Sequence, residues 1–151
     1  MESISWIQGT GKGGTIKSYD WRNQPITYEI KSMKSKIKSK VRGDKISFHV
    51  SIESEGRLIE NWDTEENPSQ VPYLEAAEKI FEKRLTTMLE HLMHKMQEKY
   101  KVEVAGFGEH LRIHDHHTWK KVKDNWDDVF SQVPVTFDIN LMITDYGAST
   151  H

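Results

Sequence analysis

The pattern of apolar residues predicts an α+β fold, a mainly antiparallel sheet with a long hairpin, covered by one long helix and a shorter aromatic helix. Three observations carry this. Apolar residues alternate with polar ones from Ile26 to Ile52 around a turn, they then recur at helical spacing from Leu74 to Met96, and the alternation returns from Val135 to Ile143. Hairpins first, helices next and one returning strand give a sheet packed on one face by helices, not a doubly wound alternation.

In chain order, Ser3–Ile7 and Thr15–Tyr19 flank the Gly-rich run Gly9-Thr10-Gly11-Lys12-Gly13-Gly14 and read as a short hairpin. Ile26, Tyr28 and Ile30 alternate, and the phase then moves to Met33, Ile37 and Val41. Strand side chains point to opposite faces with period two, so a phase change inside one strand predicts a bulge near Lys31-Ser32. Arg42-Gly43-Asp44 is a turn signal, after which Ile46, Phe48, Val50 and Ile52 alternate cleanly.

The acidic, Pro-containing stretch Asn61 to Pro72 reads as a linker, with Pro72 suited to a helix's first turn. Leu74, Ala77, Phe81, Leu85, Met88, Leu92 and Met96 then mark one face of a helix roughly 40 Å long. Lys101–Val104 reads as a short strand and Gly106-Phe107-Gly108 as a sharp turn. Trp119, Val122, Trp126, Val129 and Phe130 give a second, shorter helix. Val135, Phe137, Ile139, Leu141 and Ile143 form the clearest strand signal in the chain.

The composition narrows the function classes. A length of 151 residues fits a single domain, 1–151. With 21 basic against 23 acidic residues, no global field steers the chain to nucleic acid, and no nucleic-acid partner is expected. No apolar run approaches the ~20 residues that cross a bilayer, and Met1-Glu2-Ser3-Ile4 lacks the basic and apolar regions of a signal peptide. Cysteine is absent, which excludes disulfides, thiolate zinc sites, cysteine nucleophiles and a thioether-linked lipid on these residues.

Gly106-Phe107-Gly108-Glu109, Trp119-Lys120-Lys121-Val122-Lys123 and Asn125-Trp126-Asp127-Asp128-Val129-Phe130 resemble the closing motif of the Ger(x)C lipoproteins, the C subunits of spore germination receptors. That motif is a Gly-Phe-Gly-Glu turn, a Trp-Lys-Lys helix and a Trp shortly before a Phe. The step from Glu109 to Trp119 matches without a gap. Two departures stand out. The family's Tyr-Pro-Lys before the helix is replaced by Asp115-His116-His117, so Asp115 takes over as helix cap. The basic pair that often ends the final strand is replaced by Thr144-Asp145-Tyr146-Gly147, so no anion-binding role carries over from it.

The resemblance implies a carboxyl-terminal domain of a longer lipoprotein on the outer face of the spore inner membrane, working with the integral-membrane A and B subunits of a nutrient germinant receptor. Membrane association would come through the parent's lipid anchor, while the fragment itself is expected to be soluble. Gly106, Phe107, Gly108, Glu109, Trp119, Trp126 and Phe130 are then structural motif residues, and the domain is a non-catalytic interaction module without cofactor.

Other features are read from the residues alone. The Gly9–Gly14 run lacks the Gly-x-x-x-x-Gly-Lys-[Ser/Thr] order and the strand-to-helix context of a phosphate loop. His110, His114, His116 and His117 are metal-competent ligand types, and a metal-binding hydrolase on that loop is the alternative function. A solvated loop is the preferred reading, because three or four ligands at defined spacing are not evident. His91 and His94 belong on the polar flank of the long helix. Lys34, Lys36, Lys38 and Lys40 share one face of a strand, either as edge protection, which is preferred, or as a docking surface for acidic protein or lipid headgroups. Trp6, Trp21 and Trp62 lie near strand ends, where an exposed Trp can anchor a partner. Glu109 is placed to satisfy N–H groups of the following helix. A small-molecule sensor with an aromatic pocket is the third reading.

Overall fold

The computed structural model describes residues 2–10, 13–60 and 71–148. A four-stranded sheet in the order β1-β2-β3-β4 is formed by β1 (Thr15–Tyr19), β2 (Pro25–Arg42), β3 (Lys45–Glu60) and β4 (Val135–Ala148). β1, β2 and β3 are antiparallel neighbours, and β4 lies parallel to β3. The sheet is therefore mostly antiparallel, as the alternation predicts, and the parallel return of β4 is what the helical crossover after β3 makes possible.

The phase change in β2 is a bulge. Ile30 pairs with Gly56 and Ser32 with Glu55, so Lys31 is the extra residue. Ile26, Tyr28 and Ile30 before it, and Met33, Ile37 and Val41 after it, consequently share one face. Tyr28 fills that bend. The Ser54 hydroxyl donates to Ser32 O at 2.8 Å, and the Tyr28 hydroxyl donates to Ser54 Oγ at 2.9 Å. Burial pushes the Tyr28 phenol up to about 12.

The long helix α2 (Val71–His94) starts with Pro72 in its first turn and runs on through a π-helical turn, Lys95–Lys99. Its buried face is Tyr73, Ala77, Phe81, Leu85, Leu89, Leu92, Met93 and Met96. The stripe is rotated slightly from the predicted one, so that Leu89 replaces Met88 in the core. Against it the sheet presents Ile26, Tyr28, Ile46, Phe48, Val50, Ile52, Leu58, Leu141 and Ile143, all buried.

Four expectations are corrected. Ser3–Ile7 is not a strand but part of helix α1 (Glu2–Gln8), which buries Trp6 and Ile7. Four or five apolar-alternating residues fit either state, and here burial of adjacent side chains at positions 6 and 7 selects the helix. Lys101–Val104 forms no strand. Gly106-Phe107-Gly108 opens helix α3 (Phe107–His114) instead of making a free turn. The second helix is broken into α4 (His116–Val122), a 3-10 turn at Lys123–Asn125 and α5 (Trp126–Phe130). Asp124 and Asn125 at the break are residues whose short polar side chains compete with helical backbone bonds. Gly11, Lys12 and the linker residues Asn61–Gln70, Trp62 included, lie outside the described residues.

Candidate functional site

The segment from Glu103 to Phe130 is organised around one carboxylate. Gly106 takes φ 101°, a left-handed conformation that suits glycine, and starts α3 without a side-chain cap of its own. The cap comes from Glu103. Its Oε2 accepts from the N–H groups of Ala105 at 2.6 Å and Gly106 at 2.8 Å, and its Oε1 accepts from Gly108 N–H at 2.7 Å and from Trp126 Nε1 at 2.9 Å. Asp127 Oδ1 in turn accepts from the Glu103 N–H at 3.0 Å. A negative group over the exposed N–H groups of a helix's first turn is favourable on both hydrogen-bonding and dipole grounds.

The same contact explains Gly108. A Cβ there would stand 2.6 Å from Trp126 Nε1, so only glycine lets the indole reach Glu103. Behind it the motif aromatics converge on Phe48 of β3. Phe107 and Phe130 stack at 5.2 Å, Phe48 meets Phe107 at 5.0 Å, and Trp126 lies edge-on to Phe48 at 6.2 Å. Trp119, half-buried on α4, meets Trp126 edge-on at 5.6 Å across the break between α4 and α5. The two tryptophans therefore touch across the 3-10 turn that joins α4 to α5 and not along one unbroken helix face.

Glu109 does not cap α3. It is exposed and pairs in two hydrogen bonds with Arg112 one turn on, which holds its carboxyl below the usual range. Asp115 does cap α4, accepting from Thr118 N–H at 3.1 Å and from the Thr118 hydroxyl at 2.8 Å. The Thr118 bonds hold the Asp115 carboxyl low.

The histidine run is helical instead of a loop. His110 and His114 sit one turn apart on α3 with ring centroids 4.2 Å apart, and His110 also meets the edge of Phe48. Partial burial, and then the neighbouring His114, lower the pKa of His110. His116 and His117 are exposed on α4. Among the described residues no group of three or more His, Cys, Asp or Glu side chains has the geometry to hold a metal ion. His91 and His94 are exposed on α2.

Lys34, Lys36, Lys38 and Lys40 are all exposed and share the face of the sheet opposite α2. Their partners across β3 are Glu53, Ser51, His49 and Ser47 in that order, so a carboxylate stands opposite Lys34 alone. At the hairpin end a cleft of about 600 Å³ is bordered by Lys40, Arg42, Lys45, Val129 and Pro134. Of the other tryptophans, Trp6 is buried and Trp21 is 55% exposed beside Tyr73. No described helix is long and apolar enough to cross a membrane.

The comparisons with known proteins bear on the family and the fold. The family model described as "Spore germination B3/GerAC like, C-terminal" matches residues 1–147. The chain belongs to this family. It is 44% identical over 147 residues to spore germination protein YndF of Bacillus subtilis (strain 168), and 37% identical over 146 residues to spore germination protein B3 of the same organism. Each alignment takes in 97% of this chain but only 36% and 39% of the relative, so the chain spans less than half the length of these proteins. The crystal structure of the GerBC protein superposes with a TM-score of 0.84 at 35% identity, over 95% of this chain and 44% of that one. The motif from Gly106 to Phe130 is thus one part of a match that runs over residues 1–147.

Two features of this family member were not legible in its sequence. Glu103 sits in Val-Glu-Val, which reads as a strand with a wet-face Glu. Phe48 looks like any alternating strand residue. The only cue for Glu103 is a carboxylate three residues before the glycine that opens a helix.

Proposed function

We propose that this chain is the carboxyl-terminal, non-catalytic domain of a C-type lipoprotein subunit of a nutrient germinant receptor, and that it contributes an interaction surface to the receptor's assembly with its integral-membrane A and B subunits. The observation that carries the reading is the family match across residues 1–147, together with relatives whose names are spore germination proteins. The geometry supports the absence of a reaction. Gly106 opens α3 in a left-handed conformation, Phe107, Gly108, Trp119, Trp126 and Phe130 are committed to packing, Glu109 to a surface pair with Arg112, and Glu103 to four N–H donors. Placement on the outer face of the spore inner membrane follows from a lipid anchor on the parent, not from these residues.

The test is genetic. Spores lacking the parent protein are expected to lose their response to at least one nutrient while still germinating with a non-nutrient chemical trigger. A parent truncated before this domain, present at normal level, is expected not to restore the response. Full nutrient responses in spores lacking the parent, or full rescue by the truncated form, would overturn the proposal.

A further inference from the structure

Among the described residues the outer edge of β2 has no partner strand along most of its length. β1 pairs with Pro25–Glu29 only, and the bonds of Ile30 with Gly13 and Gly14 end that contact. Further on, Ser35 Oγ donates to Ile7 O at the end of α1. Among the described residues no strand lies beside Lys36–Arg42.

The direction of the backbone groups there follows from the register. Arg42 and Lys45 close a two-residue hairpin loop, which makes them a mutually hydrogen-bonded pair. Such pairs alternate along an antiparallel ladder, so Lys36, Lys38 and Lys40 turn their N–H and C=O groups toward β3. Ile37, Ser39 and Val41 turn theirs outward. Ile30, on the far side of the one-residue bulge, also bonds outward, to Gly13 and Gly14, in agreement with this count.

The side chains along this edge are sorted by face. Ile37 and Val41 are half-buried on the core side. Lys36, Lys38 and Lys40 line the opposite face, across from Ser51, His49 and Ser47, and Arg42 across from Lys45 extends the positive row. No carboxylate stands opposite any of them in the register. Residues directly opposite on neighbouring strands are the ones that interact, and like charges there are unfavourable.

We propose that the Lys36–Arg42 edge of β2 is a strand-addition site for an extended acidic segment of a partner protein, one that alternates Asp or Glu with apolar residues. Its backbone pairs with Ile37, Ser39 and Val41. Its acidic side chains lie against Lys36, Lys38 and Lys40, and its apolar ones continue the core side beside Ile37 and Val41. The backbone supplies affinity and the alternation supplies specificity. The same lysines repel the equivalent edge of a second copy, so the site selects a partner of opposite charge over self-association. The proposal concerns this chain's own edge and stands apart from the germination reading.

The test uses the chain with a capped peptide alternating Glu and Val, a scrambled peptide of the same composition, and vesicles rich in anionic lipid. Expected are binding of the alternating peptide at least about tenfold tighter than the scrambled one, weakening as salt is raised, and slowed amide exchange at Ile37, Ser39 and Val41. The triple variant Lys36→Glu, Lys38→Glu, Lys40→Glu should lose the Glu peptide and gain a Lys-Val peptide. Ser39→Pro removes one outward N–H and should also abolish binding. If that variant does not fold, the charge-reversed one decides alone. Equal binding of both peptides, protection elsewhere, binding to vesicles but not to peptide, or dimerisation through this edge would each overturn the proposal.

Discussion

At the scale of single residues, Glu103 does the most for the least visible signal. Its two carboxylate oxygens take four N–H donors from three backbone positions and one indole. A glutamine in its place retains one accepting oxygen and turns an NH2 group toward N–H donors. Hydrogen bonds to a charged acceptor contribute roughly 1.5–3 kcal/mol, and an unsatisfied buried donor costs about as much again. Glu103→Gln is therefore expected to lower unfolding free energy by about 3 kcal/mol in urea titration, with a loss of Trp126 fluorescence structure. A change near zero would show that water serves these donors equally well. The aromatic members of the same cluster were legible, because Phe107, Trp126 and Phe130 announce burial by type. Glu103 was not, since a charged residue in a strand-like run carries no mark of the helix start it will cap.

At the scale of elements, legibility followed length and period. The β2–β3 hairpin and its bulge could be read because the apolar pattern from Ile26 to Val41 changes phase once and then, after a turn signal, alternates cleanly from Ile46 to Ile52. Helix α1 could not, because seven residues with Ile4, Trp6 and Ile7 satisfy period two nearly as well as a helix. The histidines were misplaced for a related reason. A run of polar residues has no hydrophobic period to fix, and α3 is held by Phe107 and Leu111 with His110 pressed beside Phe48. That position has a pH consequence. Burial and then His114 lower the folded pKa of His110 from its ordinary value of 6.5. Between the unfolded and folded pKa values the unfolded chain binds more protons, so the contribution is full above 6.5 and is lost as pH falls through the folded value. Comparison of thermal midpoints across about pH 7 to pH 5 should show a shallower decline for His110→Gln than for the unsubstituted chain. Parallel profiles would remove His110 from the account.

At the scale of the whole molecule, the sheet has two outer edges and treats them differently. Beyond β4 lies α2, and two of its side chains reach that edge. Glu82 Oε2 accepts from Leu141 N–H at 2.9 Å, and Glu78 Oε2 accepts from Ile143 N–H at 2.7 Å. The helix thus closes the strand by carboxylates where, among the described residues, no further strand follows, a form of edge cover. In the sequence Glu78 and Glu82 carry no local mark of this role. Their role depends on β4 lying parallel to β3, which no local pattern encodes. Replacing both by alanine strands two outward N–H groups at a partly buried edge, which costs about 1–3 kcal/mol each. The Glu78→Ala, Glu82→Ala protein is expected to unfold at lower urea and to associate as concentration rises, measured by sedimentation velocity, because the β4 edge becomes a template for pairing. It should still bind the acidic probe peptide, since the β2 edge is untouched. A monomeric, fully stable double variant would mean that helix packing alone protects β4. Loss of peptide binding in a folded double variant would mean that the two edges are coupled, and that closing one is part of what keeps the other open.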